Sequence, residues 1–196
     1  MKRKRIVIFA SGSGTNTQNV IQYFQRTDVA EVVHVLSNNK SAKVLERAKT
    51  FDIKASSFTR EALFSSEGIV KALEKDQPDL IVLAGFLLKF PKNILAAFPN
   101  KVINIHPALL PKYGGKGMYG SHVHEAVVAN RETETGITIH YVNEQYDEGA
   151  IIFQKHTRVD PTDTADDVAQ KIHALEYEWF PKVIEGLLKR EDSMTE

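Results

Sequence analysis

The chain contains no cysteine, which removes disulfides, thiolate nucleophiles and cysteine-rich metal sites and suits a reducing compartment such as the cytoplasm. It also lacks a charge excess, since 25 Lys and Arg residues balance 25 Asp and Glu. Without a basic field, nothing in the composition draws nucleic acid or an anionic membrane towards it. Long apolar runs are missing too. The start, "MKRKRIVIFASGSG", has a basic head, but its apolar run is too short for a secretory signal and meets a glycine turn instead of a cleavage site. No later run approaches the length needed to span a bilayer. A soluble cytoplasmic protein is expected. The 196 residues show no internal repeat, low-complexity segment or linker, so a single domain over residues 1–196 is expected.

What the sequence does contain is an alternation of short apolar runs with helix-period segments. "RIVIFA", "EVVHVLSN", "LIVLAGF" and "VINIH" read as strands, separated by helical "TNTQNVIQYFQR", "SAKVLERAKTF", "FSSEGIVKALEKD" and "KNILAAF". "LIVLAG" is apolar at nearly every position, as in a parallel strand covered on both faces. After Ser121 the pattern changes to a short helix, "SHVHEAVVANR", and then to "GITIHYVN" and "AIIFQKHTRV", joined by "EQYDEG". Those two strands read as an antiparallel extension. The fold class expected is therefore α/β: a single-domain open, mostly parallel twisted sheet with a Rossmann-like N-terminal half. In the tail, Val168, Ile172, Leu175, Trp179, Val183 and Leu187 recur at steps of three or four and predict an amphipathic helix packed on the sheet. Pro181 is expected to kink or split it, and the polar end "REDSMTE" to fray.

Several stretches carry chemistry. "FASGSGTN" sets Gly12 and Gly14 after the first strand and before a helix, where backbone N–H groups and the helix dipole can hold a phosphate. A plain βα turn suits the same residues. Thr17 stands where a dinucleotide fingerprint needs glycine, and no Walker lysine is present, so a mononucleotide or sugar phosphate fits better. In "VINIH", Val102, Asn104 and His106 share one face of a strand, with Ile103 and Ile105 on the other. Pro107 ends the strand and puts Asn104 and His106 at its carboxyl edge, where open α/β sheets bind ligands. A carboxamide that donates to a developing oxyanion, beside an imidazole that moves a proton, forms an acyl-transfer pair. A histidine that merely terminates a strand is the plainer alternative. Asp147 lies in the turn "EQYDEG", where Asp also serves backbone hydrogen bonding. Period two in "GITIHYVN" sets Thr138 and His140 on one face, so that His140 faces solvent or a cleft. No metal site is expected from His106, His122, His124 and His140, because HExxH is absent and His122 and His124 do not share a helix face. Gly114, Gly115, Gly117 and Gly120 give a mobile loop, either a lid or a surface Ω-loop. Phe86, Leu87, Leu88 and Phe90 follow a strand end, where they either line an apolar pocket or join the core.

Taken together, "SGSGTN", "LAGF", "NIHPALLPKYGG", "GITIHYVNEQYDEGAII" and "ALEYEWFP" resemble the phosphoribosylglycinamide formyltransferase family of folate-dependent formyltransferases along essentially the whole chain. The resemblance implies transfer of a formyl group from the cosubstrate 10-formyltetrahydrofolate to the amine of glycinamide ribonucleotide, as in de novo purine biosynthesis, with no metal. Residue by residue, it implies Asn104, His106 and Asp147 as the catalytic set. Gly14, Thr15 and Asn16 would hold phosphate, and Glu176 would contact the glycinamide. Arg60, Asn104 and the backbone stretch of Leu87, Leu88, Lys89 and Phe90 would bind folate, with His140 in support. A phosphate-binding half at about 1–100 would precede a catalytic and folate half at about 101–190, in a monomer or homodimer that binds neither nucleic acid nor membrane. Leu88 stands where the family often has Arg, and the loop "GGKGMYGSH" is longer than in many relatives.

Methionyl-tRNA formyltransferase and formyltetrahydrofolate deformylase share the folate core, but each would carry a further domain for which this length leaves no room. A non-catalytic nucleotide-binding module using only the glycine turn would leave Asn104, His106 and Asp147 unexplained.

Overall fold

The computed structural model describes residues 2–193. The strands β1 (Lys4–Phe9), β2 (Ala30–Ser37), β3 (Lys54–Ser57), β4 (Leu80–Leu83), β5 (Val102–His106), β6 (Glu134–Tyr141) and β7 (Ile151–Arg158) form one sheet in the order β3-β2-β1-β4-β5-β6-β7. The first five run parallel, and β6 and β7 pair antiparallel. This is the expected α/β class. The helices are α1 (Thr15–Phe24), α2 (Lys43–Lys49), α3 (Arg60–Phe64), α4 (Ile69–Asp76), α5 (Lys92–Ala97), α6 (Ser121–Ala129) and α7 (Ala165–Ser193).

Two apolar cores sandwich the sheet because its buried strands are apolar at successive positions. Ile6 and Ile8 of β1, Leu80 and Val82 of β4, and Ile103 and Ile105 of β5 pack with α1, α2, α6 and α7. Val7 and Phe9, Ile81 and Leu83, and Val102 pack on the opposite face with α3, α4 and α5. The alternation of Val102 against Ile103 and Ile105 is the one read from the sequence. β1 lies between β2 and β4, so the chain reverses its winding direction there, and the carboxyl ends of β1 and β4 open a crevice.

The structure corrects the sequence reading in several places. β3 and α3 were not anticipated: "KASS" is a half-exposed edge strand without an apolar period. The most deeply buried stripe of α7 runs through Val168, Ile172, Phe180, Ile184 and Leu188, while Leu175, Trp179, Val183 and Leu187 form its partly buried flank. Of the kink or split expected at Pro181, the split does not occur, since α7 continues to Ser193. The fraying expected of 190–196 therefore does not begin at Arg190, and 194–196 fall outside the described residues. His140 is only 2% exposed: β6 is covered on both faces, and this imidazole faces other polar side chains at the edge of the crevice.

Candidate active site

The turn after β1 is held by its own backbone and by contacts with α2. Gly14 adopts φ +76° as the N-cap of α1, and no side chain caps that helix. A Cβ at Gly14 would overlap Val44 of α2, so both the left-handed backbone and the close helix contact require glycine. Val44 N donates to Gly12 O at 3.2 Å and Arg47 Nε to Ser13 O at 2.8 Å. Ser11 ties the ends of three strands together: its Oγ donates to Asn38 Oδ1 at 2.6 Å and accepts from Leu87 N at 3.0 Å. Gly14, Thr15 and Asn16 at the start of α1 line the crevice, and the N–H groups of a helix's first turn can bind an anion.

The second wall comes from β5, β6 and the loops beyond them. Asn104 lies opposite His140 in the β5–β6 register, and its Nδ2 donates to His140 Nε2 at 3.1 Å. His140 Nδ1–H donates to its neighbour Tyr141 O at 2.9 Å. That leaves Nε2 bare to accept, which fixes the Asn104 amide orientation. The second N–H of Asn104 reaches Asp147 Oδ1 only at 3.5 Å. Asp147, in the turn between β6 and β7 with φ +57°, accepts from Gly115 N at 2.9 Å. Its other near neighbours are His106 Nδ1 and His140 Nε2, each at 3.6 Å.

His106 is 3% exposed, and its Nε2–H donates to Tyr113 O at 2.7 Å, so in the neutral ring Nδ1 carries the lone pair towards Asp147. Burial lowers the His106 pKa, and the negative charge of Asp147 offsets only part of that. Burial would raise the Asp147 pKa, but its net direction is downward, with the imidazoles of His140 and His106 close by and the Gly115 N–H donated to the carboxylate favouring the charged form. The pair is therefore a neutral base beside an ionised carboxylate. Thr138 holds the loop that carries Tyr113: its Oγ1 donates to Ala108 O at 2.7 Å and accepts from Leu110 N at 3.0 Å.

α7 closes the third side. Glu176 is 5% exposed inside an otherwise apolar stripe. Its Oε2 accepts from Asn16 Nδ2 at 2.9 Å and pairs with His173 Nδ1 at 3.0 Å. The hydrogen bond to Glu176 raises the His173 pKa against the opposing effect of burial.

One cavity of about 640 Å³ gathers these groups. Gly14, Thr15 and Asn16 line it, with Asn104, His106, Asp147 and Glu176, and the loop of Gly115, Gly117 and Gly120 forms its rim. Of the proposed folate stretch, Leu87 lines the cavity beside Phe86. Leu88 and Phe90 instead pack into the core under β1 and β4, with the Phe90 ring edge-on to Phe9 at 5.2 Å. Lys89 is exposed. Arg60 begins α3 with its guanidinium 5.8 Å above the Phe64 ring, and it does not line the cavity. The side chains of these four residues do not line the cavity, which leaves the backbone of Leu88, Lys89 and Phe90 as the part of the stretch expected to meet folate. His124 and His173, which do line it, were not anticipated there, although His122 and His124 do occupy different faces, exposed and buried respectively.

Fold and cavity define a class: a doubly wound α/β protein in which a glycine turn at a helix N-terminus faces an amide, imidazole and carboxylate cluster across the point where the winding reverses. The chain belongs to the formyl transferase family, whose model matches residues 4–184, as the quoted motifs implied. It is 35% identical over 191 residues to the phosphoribosylglycinamide formyltransferase of Bacillus subtilis, covering 94% of this chain and 95% of that one. It is 35% identical over 189 residues to the chloroplastic phosphoribosylglycinamide formyltransferase of Arabidopsis thaliana, covering 93% of this chain but spanning only 65% of the plant protein. The crystal structure of glycinamide ribonucleotide transformylase 1 from Symbiobacterium toebii superposes with a TM-score of 0.86 at 30% identity, over 96% of this chain and 89% of that one.

Proposed function

We propose that this chain transfers the formyl group of 10-formyltetrahydrofolate to the amine of glycinamide ribonucleotide, giving formylglycinamide ribonucleotide and tetrahydrofolate in de novo purine biosynthesis. The observation that carries this is the meeting of Gly14–Asn16 with Asn104, His106 and Asp147 in one cavity. A phosphate on the α1 terminus and an amine beside His106 are the two ends of such a ribonucleotide. Phe86, Leu87, Ile105 and Met118 supply an apolar wall suited to the flat ring of a folate, with Leu87 as the contact from its stretch.

The amine attacks the formyl carbon, and the carbonyl oxygen becomes negative. The loosely engaged N–H of Asn104 donates to that oxygen. His106 Nδ1 takes a proton from the nitrogen that has attacked, and the imidazolium so formed is held by Asp147. It then returns the proton to the folate nitrogen as the carbon–nitrogen bond breaks. No net proton is gained or lost by the protein. His140 acts on Asn104 and Asp147 as a positioning residue. Glu176 and the turn at Gly14 orient the ribonucleotide, so residues 1–100 contribute chiefly the phosphate site and 101–190 the catalytic and folate sites. The reaction needs no metal, and we place it in the cytoplasm, with a monomer or homodimer as the working unit and no nucleic-acid or membrane partner. Among the described residues no helix is long and apolar enough to cross a membrane.

The test is purified protein with 10-formyltetrahydrofolate, followed by absorbance for release of the deformylated folate. Release that requires glycinamide ribonucleotide is expected. Release without it points to a deformylase, and no release under either condition removes the transferase reading.

A further inference from the structure

His124 is a buried polar side chain on the cavity wall that the reaction above does not use. It sits in the first turn of α6, 5% exposed, between the buried Val123 and Val127. Its Nδ1 is buried with no hydrogen-bond partner. Leaving such an atom unpaired costs roughly 1–3 kcal/mol, so an unpaired imidazole in a cavity wall marks a place where a ligand atom completes the bond. Burial, and then the charge of His173, lower its pKa, which keeps the ring neutral with one nitrogen to donate and one to accept.

The surroundings say which part of a ligand arrives there. Glu176 and His106 also act electrostatically on His124, so it lies in the company of the groups between the glycine turn and the base. Both protein hydrogen bonds to Glu176 fall on Oε2, leaving Oε1 open. Asn16 Oδ1, one residue into the helix beyond the turn's Thr15, is a second buried and unpartnered atom in the same wall. Three unfilled polar positions, none of them a fixed cation, suit hydroxyl groups better than a phosphate. Between the phosphate and the amine of a ribonucleotide lie the hydroxyls of its pentose.

We infer that His124 is a further substrate-positioning and specificity-determining residue, whose imidazole hydrogen-bonds a pentose hydroxyl and so selects ribonucleotide over deoxyribonucleotide. The assignment rests on the ribonucleotide reading above. Sites that hydrogen-bond a substrate hydroxyl reject analogues lacking it, because their buried polar atom is then left unpaired.

The experiment measures binding by calorimetry, and transfer kinetics, for glycinamide ribonucleotide and its 2′-deoxy and 3′-deoxy analogues, using wild type, His124→Phe and His124→Asn. Wild type is expected to prefer the ribonucleotide over at least one analogue by roughly ten- to a hundredfold. His124→Phe should lose that preference, with KM rising more than kcat falls, and His124→Asn, which keeps a polar atom near Nδ1, should restore part of it. Discrimination unchanged in His124→Phe, with only the melting temperature moved, would overturn the inference while leaving the transferase intact. Wild type that binds no glycinamide ribonucleotide would remove both, and wild type that binds it with the same hydroxyl preference but transfers nothing would remove the transferase reading alone.

Discussion

Asn104 has its two N–H groups unequally committed, one at 3.1 Å from His140 and the other stretched to 3.5 Å from Asp147. Only the second can turn to a new negative charge without breaking a short bond. Asn104→Ala should therefore lower kcat by ~10²–10³ while changing ribonucleotide affinity much less, and steady-state kinetics that show a raised KM with kcat intact would remove Asn104 from the chemistry. Asp147 has a different signature. Its charge raises the His106 pKa against the larger effect of burial, so Asp147→Asn should let that pKa fall further. A base works in its neutral form, above its pKa. The acid limb of kcat/KM against pH should accordingly move to lower pH in the variant, with a lower plateau because the imidazolium has lost its counter-charge. An acid limb that stays in place would mean that another group sets it.

At the scale of elements, the site depends on strands meeting loops at set heights. Thr138 on β6 lies opposite His106 and pins Ala108 and Leu110 of the following loop, and that loop brings the Tyr113 carbonyl to His106. Thr138→Val should leave Leu110 N–H and Ala108 O unpaired and remove one of the two bonds of Gln154 Nε2, at a cost of about 1–3 kcal/mol. Differential scanning calorimetry should find a lower melting temperature together with reduced kcat, and a variant melting like wild type would show the loop to be held elsewhere. The parallel strands, the αβ alternation and the faces of β5 were legible in the sequence because each is a local pattern of apolar residues. Asn104 and His106 were legible for the same reason, as polar residues interrupting a buried strand. Edge strand β3 was not, since its four residues carry no period. The burial of His140 was not either: alternation shows which residues share a face, not that the Asp147 turn covers it. Glu176 was visible only through family resemblance, although a Glu at four-residue steps between Ile172 and Phe180 was the local sign of a polar atom turned into a core.

Across the whole molecule, buried histidines set the response to acid. His34, His106 and His124 all have pKa values lowered first by burial from the ordinary 6.5. Their contribution to stability is complete above that value and is lost as pH falls below it, because the unfolded chain then takes up protons that the folded one resists. His173, raised by Glu176, has the opposite sign: its contribution is present at low pH and is lost as pH rises through its folded value. Three groups oppose one, so the melting temperature should drop between pH 7.5 and pH 5.5, and a flat or rising profile would show these rings to be protonated in the fold. The central claim, that turn, amide, imidazole and carboxylate act on one substrate pair, is tested most directly by the fate of the formyl group. With 10-formyltetrahydrofolate carrying a labelled formyl carbon, and glycinamide ribonucleotide in excess, mass spectrometry should find the label on the ribonucleotide amine in wild type and nearly none there in Asn104→Ala over the same interval. Label recovered as free formate, or equal transfer by both proteins, would contradict it.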